Sequence, residues 1–220
     1  MASIISPSDI FNSQAPELKQ LPPLGLYIHI PWCVTKCPYC DFNSHQVNGN
    51  VDSLEHEYVS RLIRDLEIAL PQIWGRKISS IFFGGGTPSL FSARAIDTIL
   101  TAVRTLVPLE DQIEITLEAN PDDLTKDRII ELSQSSINRL SIGIQSFIDD
   151  HLKMMNRAHN SKEAIKCLEY ATKYFDNISI DLIYGIPNMS VTAWHYNLHT
   201  AFDFGVNHIS SYALTVEPKT

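Results

Sequence analysis

The chain has 220 residues, 44% of them hydrophobic, and 17 basic against 25 acidic side chains give a net charge of −8. That is enough apolar material for one sizeable core, and the acidic balance speaks against nucleic acid and anionic membrane surfaces as partners because both repel it. No apolar run reaches the roughly 20 residues of a membrane helix, and the start lacks a charged segment followed by a long apolar stretch, so the sequence reads as cytoplasmic with no transmembrane segment.

Residues 1–22 mix Ser, Pro, Asn and Gln without a period and are expected to form a poorly ordered leader to a single core domain over 23–220. Six β-like runs follow: GLYIHIP (25–31), KISSIFFGG (77–85), IEITLEANP (113–121), NRLSIGIQS (138–146), NISIDLIYG (177–185) and HISSYALTV (208–216). Each is short, β-branched and mostly apolar, which predicts strands buried on both faces. Between them SLEHEYVSRLIRDLEIAL, SARAIDTILTAVRTLV, SKEAIKCLEYATKYF and SVTAWHYNLHTAFDF carry apolar residues at three and four spacing, the pattern of amphipathic helices. Strand then helix, repeated, predicts an α/β fold: a parallel sheet with right-handed crossovers, curled into a partial (β/α)6 TIM-like barrel. The sixth strand has no covering helix after it, so the sequence reads as the front part of a longer polypeptide.

The residues that packing does not require sit at the carboxyl ends of these strands. After the first come Cys33, Cys37 and Cys40; after the second, Gly84, Gly85, Gly86, Thr87 and Pro88; then Glu118 in EANP, Gln145 in IQS, Asp181 ahead of YGIP, and a glutamate in TVEP. In barrels of this type the active site is built at that end. Three thiolates spaced C-x3-C-x2-C suit a soft or borderline metal centre and leave one coordination corner open. A zinc knuckle completed by His45, or a disulfide with one free thiol, are the alternatives. Consecutive glycines let a backbone come close to a ligand, although a tight strand-to-helix turn explains them too. Asp181 alternates with Ile178, Ile180 and Leu182, which points it toward the barrel interior; a carboxylate there needs a partner, and Arg157 is a candidate. The plainer reading of Asp181 is a buried structural salt bridge or helix cap, and that of Arg157 a solvated surface arginine. Cys167 reads as an ordinary core residue, and His29 as either a site residue or a satisfied core histidine.

The cysteine spacing after an aromatic strand, with Tyr39 inside it and GGGTP downstream, resembles the signature of radical S-adenosylmethionine enzymes. The resemblance implies that Cys33, Cys37 and Cys40 hold a 4Fe-4S cluster whose open iron takes S-adenosylmethionine for cleavage to a deoxyadenosyl radical. YIHIPWCVTKCPYCDFNSH, IFFGGGTPSLF, EANPDDL, RLSIGIQSF, NRAH, DLIYGIP and YALTVEP together are similar to the oxygen-independent coproporphyrinogen III oxidase family, over about 21–220. By that resemblance Tyr27, Tyr39, Gly85, Gly86, Thr87, Glu118, Gln145, Arg157, Asp181 and Ala213 fall at positions that contact S-adenosylmethionine, or a second molecule of it. True oxidases of the family carry a further cysteine two residues after the third, whereas here Cys40 is followed by Asp41 and Phe42. This departure is shared with the family's oxidase-like HemW branch, whose members are regarded as heme chaperones. The implied function is heme trafficking, with heme or porphyrin, a heme-acceptor protein and an electron-donor protein as partners. The other reading is a porphyrin-forming oxidase. The family's C-terminal region, with a His-Asn-x-x-Tyr-Trp motif associated with heme, does not occur in this sequence.

Overall fold

The computed structural model describes residues 20–47, 51–73 and 75–215. Most of the expected leader, and the glutamate of TVEP, lie outside the described residues. Among the described residues eight strands and six α-helices follow one another: β1 (Leu24–Ile30), β2 (Trp32–Cys33), β3 (His45–Gln46), α1 (Asp52–Ile73), β4 (Ile78–Gly85), α2 (Ala93–Leu106), β5 (Leu109–Ala119), α3 (Lys126–Ser133), β6 (Arg139–Gln145), α4 (Asp149–Met154), α5 (Ser161–Tyr174), β7 (Ile178–Tyr184), α6 (Val191–Asp203) and β8 (His208–Ala213). The long strands form one sheet in the order β1-β4-β5-β6-β7-β8, every ladder parallel. All six predicted strands are present, in chain order, and among the described residues no ladder joins β8 back to β1, so the barrel is partial.

The helix-facing side of the sheet is the core. Ile30, Ile81, Phe83, Ile115, Leu117, Leu140, Ile142, Ile144, Ile180 and Leu182 are buried there, against Ile96 and Leu100 of α2, Ile129 and Leu132 of α3, and Ala164, Leu168 and Ala171 of α5. Cys167 belongs to this cluster, and burial pushes its thiol up to about 12. The helices start on side-chain caps: Ser92 accepts from the Ala95 N–H, Thr125 from Arg128 and Ser190 from Ala193, while Asn160 and Glu163 form a reciprocal capping box. Glu55 of α1 accepts from both the N–H and the hydroxyl of Ser92, at 2.6 and 2.7 Å, which ties α1 to the start of α2.

One expectation changes. The strands are not apolar on both faces: the inner face carries Tyr27 and His29, Thr116 and Glu118, Arg139, Ser141 and Gln145, and Ser179 and Asp181. A closed barrel fills its interior with apolar layers, but this open sheet leaves part of its inner face accessible, and polar residues are stable there. Helices α3 and α4 are additions to the predicted set; α4, Asp149–Met154, is only six residues long and carries little periodicity.

Leu140 is fully buried near the start of β6. Leu140→Ala is expected to lower unfolding free energy by about 2–5 kcal/mol through lost transfer energy and the cavity left behind, read as a lower denaturant midpoint at unchanged slope.

Candidate functional site

The three cysteines lie in a loop closed at its base by the short parallel ladder of β2 and β3, with the His45 N–H donating to the Pro31 carbonyl at 2.7 Å and the Val47 N–H to the Cys33 carbonyl at 2.9 Å. Lys36 braces the loop internally, its ammonium donating to the carbonyls of Phe42 and Ser44 at 3.2 and 3.0 Å. At its root, Trp32 stacks on Phe91 and meets Tyr58 edge-on at 4.4 Å. The C-terminal side is held by His29, whose Nε2 donates to the Asn43 carbonyl at 2.9 Å while Nδ1 accepts from the Tyr27 hydroxyl at 3.1 Å. His29 is thus a satisfied histidine that supports the loop.

The glycine run packs the loop against β4. Gly85 adopts φ +118°, and a Cβ there would lie 2.4 Å from the His29 ring; at Gly86 a Cβ would lie 2.6 Å from the Trp32 carbonyl oxygen. The N–H groups of Gly85, Gly86 and Thr87 are already given to Glu118 Oε2, the Ile30 carbonyl and the Trp32 carbonyl. The turn therefore offers a ligand space more than hydrogen-bond donors, and its glycines are needed first for the contact between loop and strand.

These contacts bring Cys33, Cys37 and Cys40 to one cavity of about 140 Å³ whose walls include Tyr39, Gly85, Gly86, Thr87, Glu118, Gln145, Arg157 and Asp181. An adjoining cavity of about 260 Å³ shares Tyr39, Cys40, Glu118, Gln145 and Asp181 and adds Ala213 with Ile183, Tyr212 and Leu214. Of the expected cofactor-contact residues only Tyr27 lines neither. It sits lower on β1, 57% exposed on the inner face, stacked on Phe82, and reaches the loop through His29. A cavity larger than either, about 710 Å³, is an open groove between α1 and α2, on the outer side of the sheet and away from the cysteines.

Arg157 follows Asn156, a left-handed residue (φ 53°) that ends α4 and turns the chain back toward the sheet. Its guanidinium donates to the Gly143 carbonyl at 3.0 Å, to Asn120 Oδ1, and to Cys37 Sγ at 3.4 Å. It thus pairs with a thiol, a carboxamide and a carbonyl, and forms no salt bridge with Asp181. The next two residues bring in His159, buried, with Nε2 donating to the Ile144 carbonyl at 3.1 Å. Asn120, Gly143, Lys36 and Ser44 are site residues that the sequence reading did not single out; Asn120 shares the inward parity of Glu118, and that period-two signal was available. Gln145 is itself unusual, a non-glycine at φ 64°, where the pairing of β6 with β7 shifts register. Strain of this kind persists where surrounding structure holds it.

Burial disfavours the charged form of the two carboxyl groups in the site. Burial raises Glu118 to about 7, with the charge of Asp181 adding to the effect and the Gly85 N–H opposing it. Burial likewise raises Asp181. Burial also raises the Cys33 thiol, while the Thr87 and Ser44 hydroxyls beside it oppose that rise.

The donor set can be tested against a metal centre. All four cysteines are free thiols, and among the described residues no three His, Cys, Asp or Glu side chains are gathered tightly enough for a single ion. His45, the fourth ligand of the zinc alternative, is exposed on β3 and does not line the cavity. A polynuclear cluster takes each thiolate on a different iron and so needs a wider triangle, with N–H and O–H donors directed at the sulfurs. Arg157 on Cys37, and Ser44 Oγ 3.9 Å from Cys40 Sγ, supply that second layer. The residues fit a cluster.

Residues 27–195 match the model of the radical SAM superfamily. The chain belongs to that superfamily. Membership implies a 4Fe-4S cluster and S-adenosylmethionine. The chain is 44% identical over 202 residues to the heme chaperone HemW of Escherichia coli, covering 91% of this chain and 53% of that one. It is also 44% identical over 208 residues to the protein of the same name in Haemophilus influenzae, covering 92% and 54%. Among solved structures, the radical SAM enzyme coproporphyrinogen III oxidase (HemN) of Escherichia coli superposes with a TM-score of 0.79 at 26% identity, over 89% of this chain and 45% of that one. The chain thus falls in the HemW- and HemN-like branch and spans about half the length of the relatives it matches. No helix among the described residues is long and apolar enough to cross a membrane.

Two outcomes are expected. Glu118→Gln should stabilise the protein at high pH: a raised carboxylate binds its proton more tightly when folded, so stability falls as pH climbs from the unfolded value near 4.5 to about 7 and is then level. The gain in melting temperature over wild type should grow through that window and vanish near pH 4. Gly86→Ala should displace the cysteine loop, seen as loss of iron and sulfide uptake on anaerobic reconstitution while far-UV dichroism is retained.

Proposed function

We propose that this chain is the cluster-bearing part of a heme-trafficking radical S-adenosylmethionine protein. In this reading Cys33, Cys37 and Cys40 hold the cluster as thiolates, which when bound supplies low-potential electrons to S-adenosylmethionine. The cysteine loop and β4 orient the cluster, and Tyr39 and Arg157 close the cavity beside Cys37. Glu118 and Asp181 would receive positive charge of the nucleotide, with Thr87, Gln145 and Ala213 shaping the walls.

Phe42 is the observation that carries the trafficking reading. It is 65% exposed and forms part of the rim of both cavities, at the place where the oxidases of the family have a cysteine. An apolar ring there offers a surface to a flat hydrophobic macrocycle and cannot take part in thiol redox chemistry. The two HemW relatives, named as heme chaperones, agree with it. An acceptor for heme and a protein electron donor complete the proposed partners.

The structural likeness to HemN favours a second reading, oxidative decarboxylation of coproporphyrinogen III. The two separate in one set of measurements on the anaerobically reconstituted protein. Trafficking predicts about four irons and four sulfides per chain, lost in Cys37→Ala, together with heme uptake and its transfer to an apo-acceptor. Release of carbon dioxide from coproporphyrinogen III under reducing conditions, without heme transfer, would establish the oxidase instead.

A further inference from the structure

Resting on the reading of Cys37 as a cluster ligand, we infer that Arg157 sets the reduction potential of the cluster by hydrogen bonding to the Cys37 sulfur, independently of any contact with S-adenosylmethionine. Nη1 of Arg157 lies 3.4 Å from Cys37 Sγ, an ordinary length for an N–H···S bond. The guanidinium is brought there by a clamp built from two strand ends: Nη2 donates to Asn120 Oδ1 just beyond β5 and to the Gly143 carbonyl within β6. Both acceptors are fixed by their own surroundings. Asn120 donates in turn to the Thr87 hydroxyl at 3.1 Å, and the next carbonyl of β6, that of Ile144, is taken by buried His159. The arginine is thus aimed at the sulfur by groups that belong to the fold.

Nε of Arg157 is buried and has no partner. The sulfur bond is made by Nη1 alone, so its effect on the potential and any effect of Arg157 on nucleotide binding are separable by experiment.

The expected effect has a definite sign. A low-potential one-electron donor gives one electron to the oxidised cluster; no bond forms or breaks, and the added negative charge spreads over iron, sulfide and the ligating thiolates. A guanidinium N–H on one of those thiolates is a charge-assisted bond, and it strengthens as the sulfur becomes more negative. It therefore favours the reduced state and raises the potential, as hydrogen bonds to cluster sulfurs do in general. Removing it makes the cluster harder to reduce.

The test is a redox titration with dithionite, without S-adenosylmethionine, of reconstituted wild type, Arg157→Gln, Arg157→Lys, Asn120→Ala and Arg61→Gln, with iron and sulfide counted in each and nucleotide binding measured separately. Arg157→Gln should hold about tenfold less reduced relative to oxidised cluster at a given potential, a lowering of about 59 mV for a one-electron couple. Arg157→Lys, which keeps the charge and loses the fork, and Asn120→Ala, which loosens the clamp, should fall between that variant and wild type. Arg61→Gln removes an exposed arginine of α1 that lines neither cavity at the cysteines and should leave the potential unchanged. If Arg157→Gln takes up no cluster, the Arg157→Lys and Asn120→Ala potentials carry the test. Clusters that load normally and titrate at the wild-type potential in all the Arg157 and Asn120 variants, with only nucleotide binding weakened, would overturn the inference. Wild-type protein that takes up no iron and sulfide would overturn the cluster reading itself and this inference with it.

Discussion

Parallel pairing of each long strand with its neighbour in the chain is the constraint on which the rest of this structure depends. Because every crossover returns to the same end of the sheet, all six carboxyl ends share one edge, and residues more than a hundred positions apart in sequence meet there. Cys37 and Arg157 are 120 residues apart along the chain and touch. No local propensity could bring them together; the order of the sheet does.

The two faces of that sheet have different tasks. On the helix side Ile, Leu and Phe side chains exclude water and supply the stability. On the inner side Glu118, Ser141, Asp181 and Arg157 are held partly out of water, which costs free energy for each charged group and is the origin of the raised carboxylates. The fold tolerates these groups because backbone and side-chain partners surround them: the Gly85 N–H for Glu118, and Asn120 and the Gly143 carbonyl for Arg157. These polar groups are therefore held by partners that belong to the fold.

The cysteine loop shows how a segment with little regular secondary structure acquires a fixed shape. Its two ends are zipped by β2 and β3, its interior is spanned by Lys36, and its back rests on Gly86. Each of these contacts uses backbone atoms of the loop. Side chains within it, Tyr39 and Phe42 among them, are consequently free to face the cavities, and Phe42 can serve as a distinguishing surface without altering how the loop is built.

Much of this was legible from the residues alone. The six strands, their order and the placement of the thiols, glycines, Glu118, Gln145 and Asp181 at one edge followed from β-branched runs alternating with amphipathic helices, because apolar periodicity is a local property. The polar character of the inner sheet face, the support role of His29, the position of Tyr27 outside the cavities and the pairing of Arg157 with Cys37 were not legible. Each depends on which groups meet across the sheet, and hence on register and turn geometry. The sequence by itself determined that three thiols and a glycine-rich turn would share one end of a parallel α/β sheet. Only the tertiary structure decided what surrounds them, because the distances between strand ends, and the buried partners that orient a guanidinium, arise from packing between segments remote in the chain.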